Sequence, residues 1–159
     1  MNDATPPATQ PEATSPDTES TFVCDCEKWV RSACQGETFF REYEGKRYCV
    51  LHYPGADKTE AFSVAFTRKL EAKEFDFGGV WFPKAVDFSQ FEFSADARFG
   101  DATFSAKADF SDAAFSADAY FSRAMFSTDA RFGGATFSAD ADFSDSAVSA
   151  GYGSAGERC

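Results

Sequence analysis

Phenylalanine recurs through the second half of the chain at spacings that alternate between five and six residues, and this pattern constrains the fold most. From Phe99 to Phe143, alanine stands two residues before every phenylalanine, and Ser or Gly follows each one. The two spacings together make an 11-residue unit, and such a fixed period predicts an architecture of stacked repeats. The phenylalanines lie at positions 77, 82, 88, 93, 99, 104, 110, 115, 121, 126, 132, 137 and 143, with Val148 in the next place.

An 11-residue period also fits three turns of an α-helix and would then indicate a right-handed coiled coil. The unit is rich in Ser, Gly, Asp and Thr, which are weak helix formers, so we favour an extended structure. In an extended segment, residues i−2 and i point to the same side. Alanine and phenylalanine then both face inward and charged residues face outward, as in a β-solenoid.

The segment ATFSAKADFSDAAFSADAYFSRAMF (102–126) resembles the pentapeptide-repeat proteins, and the likeness extends over about residues 75–148. It implies an all-β solenoid, a right-handed quadrilateral β-helix in which each short unit forms one face and four units form a coil. Fourteen units would give about three and a half coils. This chain departs from the family in using Phe where Leu is commoner. It also adds a sixth residue to every second five-residue unit, so that two successive units make up the 11-residue period. We place the extra residue, such as Asp118, at a corner, which gives a coil of 22 rather than 20 residues.

The chain is predicted to have four parts. Residues 1–20 form a disordered acidic arm rich in Pro and Thr, because they carry almost no large apolar side chain. Residues 21–74 form a small α+β Cys/His module, similar to a zinc finger, with a hairpin around Glu44-Gly45 and a helix over 58–73. That helix should begin with a capping-box pair, Asp57 and Glu60, and bury one apolar face. Residues 75–148 form the β-helix, and 149–159 a flexible tail.

Four cysteines and the only histidine of the chain are candidate metal ligands. Cys49 and His52 form a C-x-x-H pair after the hairpin, Cys34 lies upstream, and one of Cys24 or Cys26 would complete a Cys3His set. Thiolates and imidazole suit a closed structural zinc site, and a module of this size has little core without one. The alternatives are cysteines buried without a ligand, redox or disulfide chemistry, and a Cys/His nucleophile.

The net charge of −11 argues against direct nucleic-acid binding, which requires a basic surface. No apolar run is long enough to span a membrane, and the N-terminus lacks the features of a signal peptide, so we expect a cytoplasmic protein without membrane contact. The excess of acidic residues lies in the arm and in residues 75–148, which contain twelve acidic and five basic side chains.

Asp and Ser recur with the repeat unit at outward positions, which indicates solubility rather than an active site, so we predict that the protein is not an enzyme. The leading hypothesis is a structural or protein-interaction module, a rigid acidic β-helix with a zinc-stabilised head and an unidentified protein partner. The alternative, carried over from the resemblance, is a DNA mimic that inhibits or protects DNA gyrase or another topoisomerase. The resemblance to bacterial proteins that join such a module to a repeat supplies no activity.

The two ends of the repeat depart from its pattern. The stretch EFDFGGVWFPKAV (74–86) replaces alanine with larger residues and is predicted to cap the N-terminal end, with the cysteine module seated on it. After Phe143 the pattern gives way to a Gly/Ser-rich sequence. Either a homodimer covers that end of the β-helix, or the chain is truncated or frameshifted relative to longer relatives.

Overall fold

The repeat segment forms a four-sided β-solenoid, which confirms the predicted fold class. The computed structural model describes residues 22–148, so the predictions for the arm (1–20) and the tail (149–159) lie outside the described residues. A 3-10 helix (Lys28–Cys34), a hairpin (β1 and β2) and the helix α1 (Thr59–Glu71) precede the solenoid strands β3–β15. The strands are β1 Arg41–Tyr43, β2 Lys46–Tyr48, β3 Trp81–Phe82, β4 Val86–Asp87, β5 Glu92–Phe93, β6 Ala97–Arg98, β7 Thr103–Phe104, β8 Ala108–Asp109, β9 Ala114–Phe115, β10 Ala119–Tyr120, β11 Met125–Phe126, β12 Ala130–Arg131, β13 Thr136–Phe137, β14 Ala141–Asp142 and β15 Ala147–Val148.

Each face of the solenoid is a parallel sheet whose strands come from successive coils. The sheet orders are β15-β11-β7-β3, β12-β8-β4, β13-β9-β5 and β14-β10-β6. Phe82 pairs with Phe104, and Phe104 with Phe126, a step of 22 residues per coil. The 22-residue coil is therefore the observed one, and the extra residue of every second unit lies in the bends between strands, as at Asp118.

The interior consists of stacked phenylalanine rings with alanine between them. Rings one coil apart are nearly parallel: Phe82 and Phe104 have centroids 4.5 Å apart and planes 3° apart, and Phe104 and Phe126 lie at 4.8 Å and 3°. These separations match the spacing of neighbouring strands, so sheet pairing and ring stacking reinforce each other. Rings of adjacent faces meet edge to face, as Phe104 and Phe110 do, or tilted, as Phe99 and Phe104 do. Across the interior, Phe99 meets Phe110 of the opposite face edge to face. The phenylalanines from Phe77 to Phe126 at the repeat positions are buried.

Helix α1 closes the N-terminal end of this aromatic interior. Phe66 contacts three phenylalanines of the first coil, at positions 77, 82 and 88, with centroid distances of 5.5, 5.9 and 5.8 Å. The stretch EFDFGGVWFPKAV belongs to the first coil itself, since Phe77 already donates its backbone N–H to the Arg98 carbonyl. The cap over that coil is thus helical. The Cys/His module before the solenoid (22–74), which we call the head, covers an apolar surface that would otherwise be exposed to water.

The head contains the predicted hairpin and helix, but the predicted capping box is wrong. Glu44 and Gly45 both have positive φ, 52° and 79°, as a two-residue hairpin turn of type I′ requires. Lys58 precedes α1 without a side-chain capping bond, and Asp57 pairs with Arg41 instead. Lys58 is buried because its ammonium donates to the carbonyls of Val50 (2.6 Å) and Leu51 (3.0 Å).

Candidate metal centre

Four of the five predicted ligands converge in the head. The ligand atoms of Cys24, Cys34, Cys49 and His52 all lie within 4.8 Å of one another, and all four residues are buried. Cys24 comes from the segment before the 3-10 helix, Cys34 ends that helix, and the other two follow the hairpin. The structure therefore brings together one upstream cysteine, Cys24, with the remainder of the predicted Cys3His set.

The fifth candidate, Cys26, stands beside this group. Its sulfur lies 3.9 Å from the Cys34 sulfur, and its side chain is partly exposed. The sequence left the choice between Cys24 and Cys26 open because both precede the helix by only a few residues. No disulfide joins the described cysteines, from Cys24 to Cys49.

The distances within the group fit a tetrahedral ion. The Nδ1 atom of His52 lies 3.6 Å from the Cys49 sulfur and 3.8 Å from the Cys24 sulfur. Zinc bond lengths to sulfur and nitrogen place the two ligand atoms of a tetrahedral site about 3.6 Å apart. A buried group with this composition and spacing could hold a metal ion.

A second hydrogen bond orients the histidine ring. Its Nε2 atom lies 2.8 Å from the Gly78 carbonyl oxygen, and this nitrogen carries the proton because a carbonyl can only accept. Ligating histidines in proteins characteristically donate their other ring N–H in this way. The bond leaves Nδ1 directed at the sulfurs, and the backbone N–H of Cys49 donates to the Cys24 sulfur at 3.4 Å.

The protonation of the group is strongly perturbed. Hydrogen bonds from neighbouring thiols, that of Cys26 first, lower the pKa of Cys24, and the same kind of contact raises the pKa of Cys34. Burial lowers the pKa of His52, but hydrogen bonds with Cys24, Cys26 and Cys49 outweigh it and raise the pKa to about 12. A bound divalent cation would take the place of these protons, because thiolates and neutral imidazole are the ligating forms.

The sequence did not single out Lys58, whose amine is buried next to the centre. Burial lowers its pKa to about 7, while the charges of Cys49 and Cys24 act in the opposite direction. Its two acceptors, Val50 and Leu51, are the residues between Cys49 and His52. The available signal was its place four residues before Phe62, in line with the buried face of α1 but one residue before the helix begins.

The comparisons with known proteins concern the solenoid. The family model described as "Pentapeptide repeats (9 copies)" matches residues 99–147. No curated protein and no solved structure matches the chain. None of the helices within residues 22–148 has the length and apolar content that crossing a membrane requires.

Proposed function

Because residues 99–147 of this chain belong to the pentapeptide-repeat family, we propose that the protein is a non-catalytic structural and protein-interaction module, a rigid acidic β-helix with a zinc-stabilised head. The observation that carries this proposal is the filled interior of the solenoid. Phe93, Phe99, Phe104, Phe110 and Phe121 have no exposed surface, and parallel rings occupy the space between coils. A packed interior leaves no room for a ligand, so function falls to the outer surface.

That outer surface is acidic and ordered by the coil period. Asp96, Asp118 and Asp140 follow one another at 22-residue steps along one corner, which we call the Asp column. Within it, the Asp118 N–H donates to an Asp96 carboxylate oxygen and the Asp140 N–H to Asp118, both at 3.2 Å. A rigid line of like charges favours a partner with a basic surface, and such binding weakens as salt rises.

The test is capture of partners from native lysate by the full chain and by two matched variants. Asp96→Asn/Asp118→Asn/Asp140→Asn removes three charges from the column and keeps an oxygen acceptor at each position. Asp87→Asn/Asp109→Asn/Asp142→Asn removes three charges elsewhere. We expect a partner that binds the wild type and the second variant at low salt and is lost from the first. Identical binding to all three proteins would contradict a role for the column.

Zinc is the ion proposed for the Cys3His group. The support is the ligand chemistry, since three thiolates and one imidazole form a structural tetrahedral set. Elemental analysis of the full chain should give about one zinc per molecule. Cys49→Ser and His52→Ala should lose it. The remaining cysteine of the chain, Cys159, lies after the repeat and far in sequence from the other four, and Cys159→Ser should retain the zinc. Wild-type protein that takes up no zinc when the metal is supplied would overturn this part of the proposal.

A DNA mimic that acts on gyrase or another topoisomerase is the second candidate. The specific observation in its favour is the same Asp column, a regular line of negative charge on a narrow rod. The chain should then inhibit or protect the enzyme in a supercoiling assay at low salt, and the effect should fade as salt rises. The absence of any effect at low salt, or an equal effect of the column variant, would count against this candidate.

A further inference from the structure

The strongest feature outside the four-residue group is the fourth thiol of the head, that of Cys26. We propose that Cys26 is a modification site: a hydroperoxide oxidises its sulfur, and Cys34 then leaves the metal to form a Cys26–Cys34 disulfide. This inference rests on the metal centre proposed above and adds to it a route by which the centre is opened.

Geometry pairs these two sulfurs. The Cys26 and Cys34 sulfurs are 3.9 Å apart, and a disulfide bond needs them about 2 Å closer. Cys26 precedes the 3-10 helix by two residues and Cys34 ends it, so the bond would join two residues only eight positions apart. A four-coordinate centre built from Cys24, Cys34, Cys49 and His52 also leaves Cys26 without a metal bond.

Solvent exposure distinguishes Cys26 from the other described cysteines. It is partly exposed, whereas the three cysteines of the group are buried. It also lines a cavity of about 270 Å³ together with Lys46, Tyr48 and His52, which is ample for hydrogen peroxide. Oxidation of cysteine follows exposure. Lys46 and the carboxylates of Asp25, Glu27 and Asp101 line the same cavity, so access rather than a positive charge distinguishes Cys26.

The chemistry balances with hydrogen peroxide as the only oxidant. The Cys26 sulfur attacks one peroxide oxygen, the O–O bond breaks, and the products are a sulfenic acid and one water. The Cys34 sulfur then attacks the sulfenic sulfur, the S–S bond forms, the S–O bond breaks, and the departing hydroxide takes a solvent proton to become the second water. Two sulfurs lose two electrons in total, and the ion loses one of its four ligands.

The test uses full-length, reduced, zinc-loaded protein exposed to hydrogen peroxide. A chromogenic chelator follows zinc release, and tryptic mapping identifies the disulfide. Trypsin separates the partners, because Cys34 falls in peptide 32–41, Cys49 in peptide 48–58, and Cys24 and Cys26 in peptide 1–28, where fragmentation distinguishes them. We expect a Cys26–Cys34 link, zinc release in step with it, and reversal of both by dithiothreitol.

Two variants sharpen the outcome. Cys26→Ser should bind zinc as the wild type does and release it to peroxide at least tenfold more slowly, while Cys159→Ser should match the wild type. Equal release rates in Cys26→Ser and wild type, or a first disulfide that joins Cys24 to Cys49, would overturn the proposal. If the protein binds no zinc, the metal centre itself fails, and mapping still decides whether Cys26 and Cys34 pair.

Discussion

Seven residues of the solenoid, spaced eleven apart from position 79 to position 145, have a positive φ. Only two of these seven residues are glycine. The five others, among them Gln90 and Arg123, have φ between 58° and 62°. The remaining members of the series are Gly79, Asp101, Asp112, Gly134 and Asp145. Side chains with a Cβ are strained in this region, so each of the five stores unfavourable energy in its turn. The bidentate bond from Arg123 to Asp101 offsets part of that cost, with distances of 2.8 and 2.7 Å.

Gln90→Gly should therefore stabilise the protein. Relief of the left-handed strain outweighs the extra chain entropy of glycine, for a gain of up to about 1 kcal/mol. Calorimetry should show a rise in Tm of about 2–4 °C. Ser89→Gly in the same turn is the control and should lower Tm, because Ser89 has no positive φ and its hydroxyl donates to Asp87 at 2.6 Å. A lower Tm for Gln90→Gly would contradict the strain argument.

The buried ammonium of Lys58 is expected to affect metal binding. Three thiolates and one divalent ion would leave one negative charge in the head, and a protonated Lys58 would compensate it while it donates to the Val50 and Leu51 carbonyls. Lys58→Met should weaken zinc affinity about 10- to 100-fold, measured by competition with a chelator of known affinity. The exposed Lys84→Met is the control. An unchanged affinity in Lys58→Met would show that Lys58 serves packing alone.

At the scale of the elements, the ring stacks carry the stability of the coils. Phe115 lies between Phe93 and Phe137, with centroid distances of 4.7 Å to each ring. Phe115→Ala should lower the free energy of unfolding by about 3–5 kcal/mol, because the rigid coils cannot close the cavity. Chemical denaturation measures the loss, and the exposed Ser116→Ala should change stability little. Phe137→Ala should cost less than Phe115→Ala, since Phe137 is only partly buried.

Aspartates before the turns make the strand ends sensitive to acid. Hydrogen bonds from the Ser89 hydroxyl and backbone lower the pKa of Asp87 below its ordinary 3.8, and Ser111 acts likewise on Asp109. Because these pKa values are lower in the folded state, their stabilisation is present above pH 3.8 and is lost as the pH falls through the folded-state values. A series of melting temperatures measures this loss. The variant with asparagine at 87, 109 and 142 should lose less stability below pH 3.8 than the wild type; a parallel profile would contradict the prediction.

At the scale of the whole molecule, the metal centre joins the head to the solenoid. His52 bonds the Gly78 carbonyl, the Trp81 N–H donates to Leu51 at 3.0 Å, and the Ser32 hydroxyl donates to Asp76 at 2.6 Å. Helix α1 of the head also packs over the first coil. An ion bound by this group would therefore stabilise contacts that the solenoid shares, and the two parts should unfold together.

Removal of zinc should lower the Tm of the entire chain by about 10 °C, since a tightly bound ion contributes several kcal/mol to the folded state. Circular dichroism should report one transition for the helix and the strands before chelation. His52→Ala should reproduce the effect without a chelator, and Cys159→Ser should not. An unchanged melting profile after zinc removal would contradict the coupling of head and solenoid.

The repeat made the solenoid predictable, whereas the head depended on contacts between distant residues. Period and composition were enough for the inward phenylalanines and alanines and for the hairpin at Glu44-Gly45, because each rule acts locally or repeats. The coil of four faces, and with it the 22-residue step, followed from the resemblance to the pentapeptide-repeat proteins. The capping box failed because Arg41 takes the Asp57 carboxylate, and no local rule links those two positions. Likewise, the spacing of the cysteines predicted the ligand set, but only the fold separates Cys24 from Cys26 and gives His52 its acceptor at Gly78.

The 11-residue unit, which spans two faces, is half of a 22-residue coil. Duplication of such units therefore affects the core and the surface of the solenoid differently. Duplication of two units adds a coil and extends each face with its own pattern. Duplication of a single 11-residue unit still stacks every interior phenylalanine on another phenylalanine, but it rotates all later residues by half a turn about the solenoid axis. The Asp column would then continue on the opposite corner, where Lys107 and Asp129 now lie. Relatives that differ by an odd number of units should therefore share a core and differ in the surface they present.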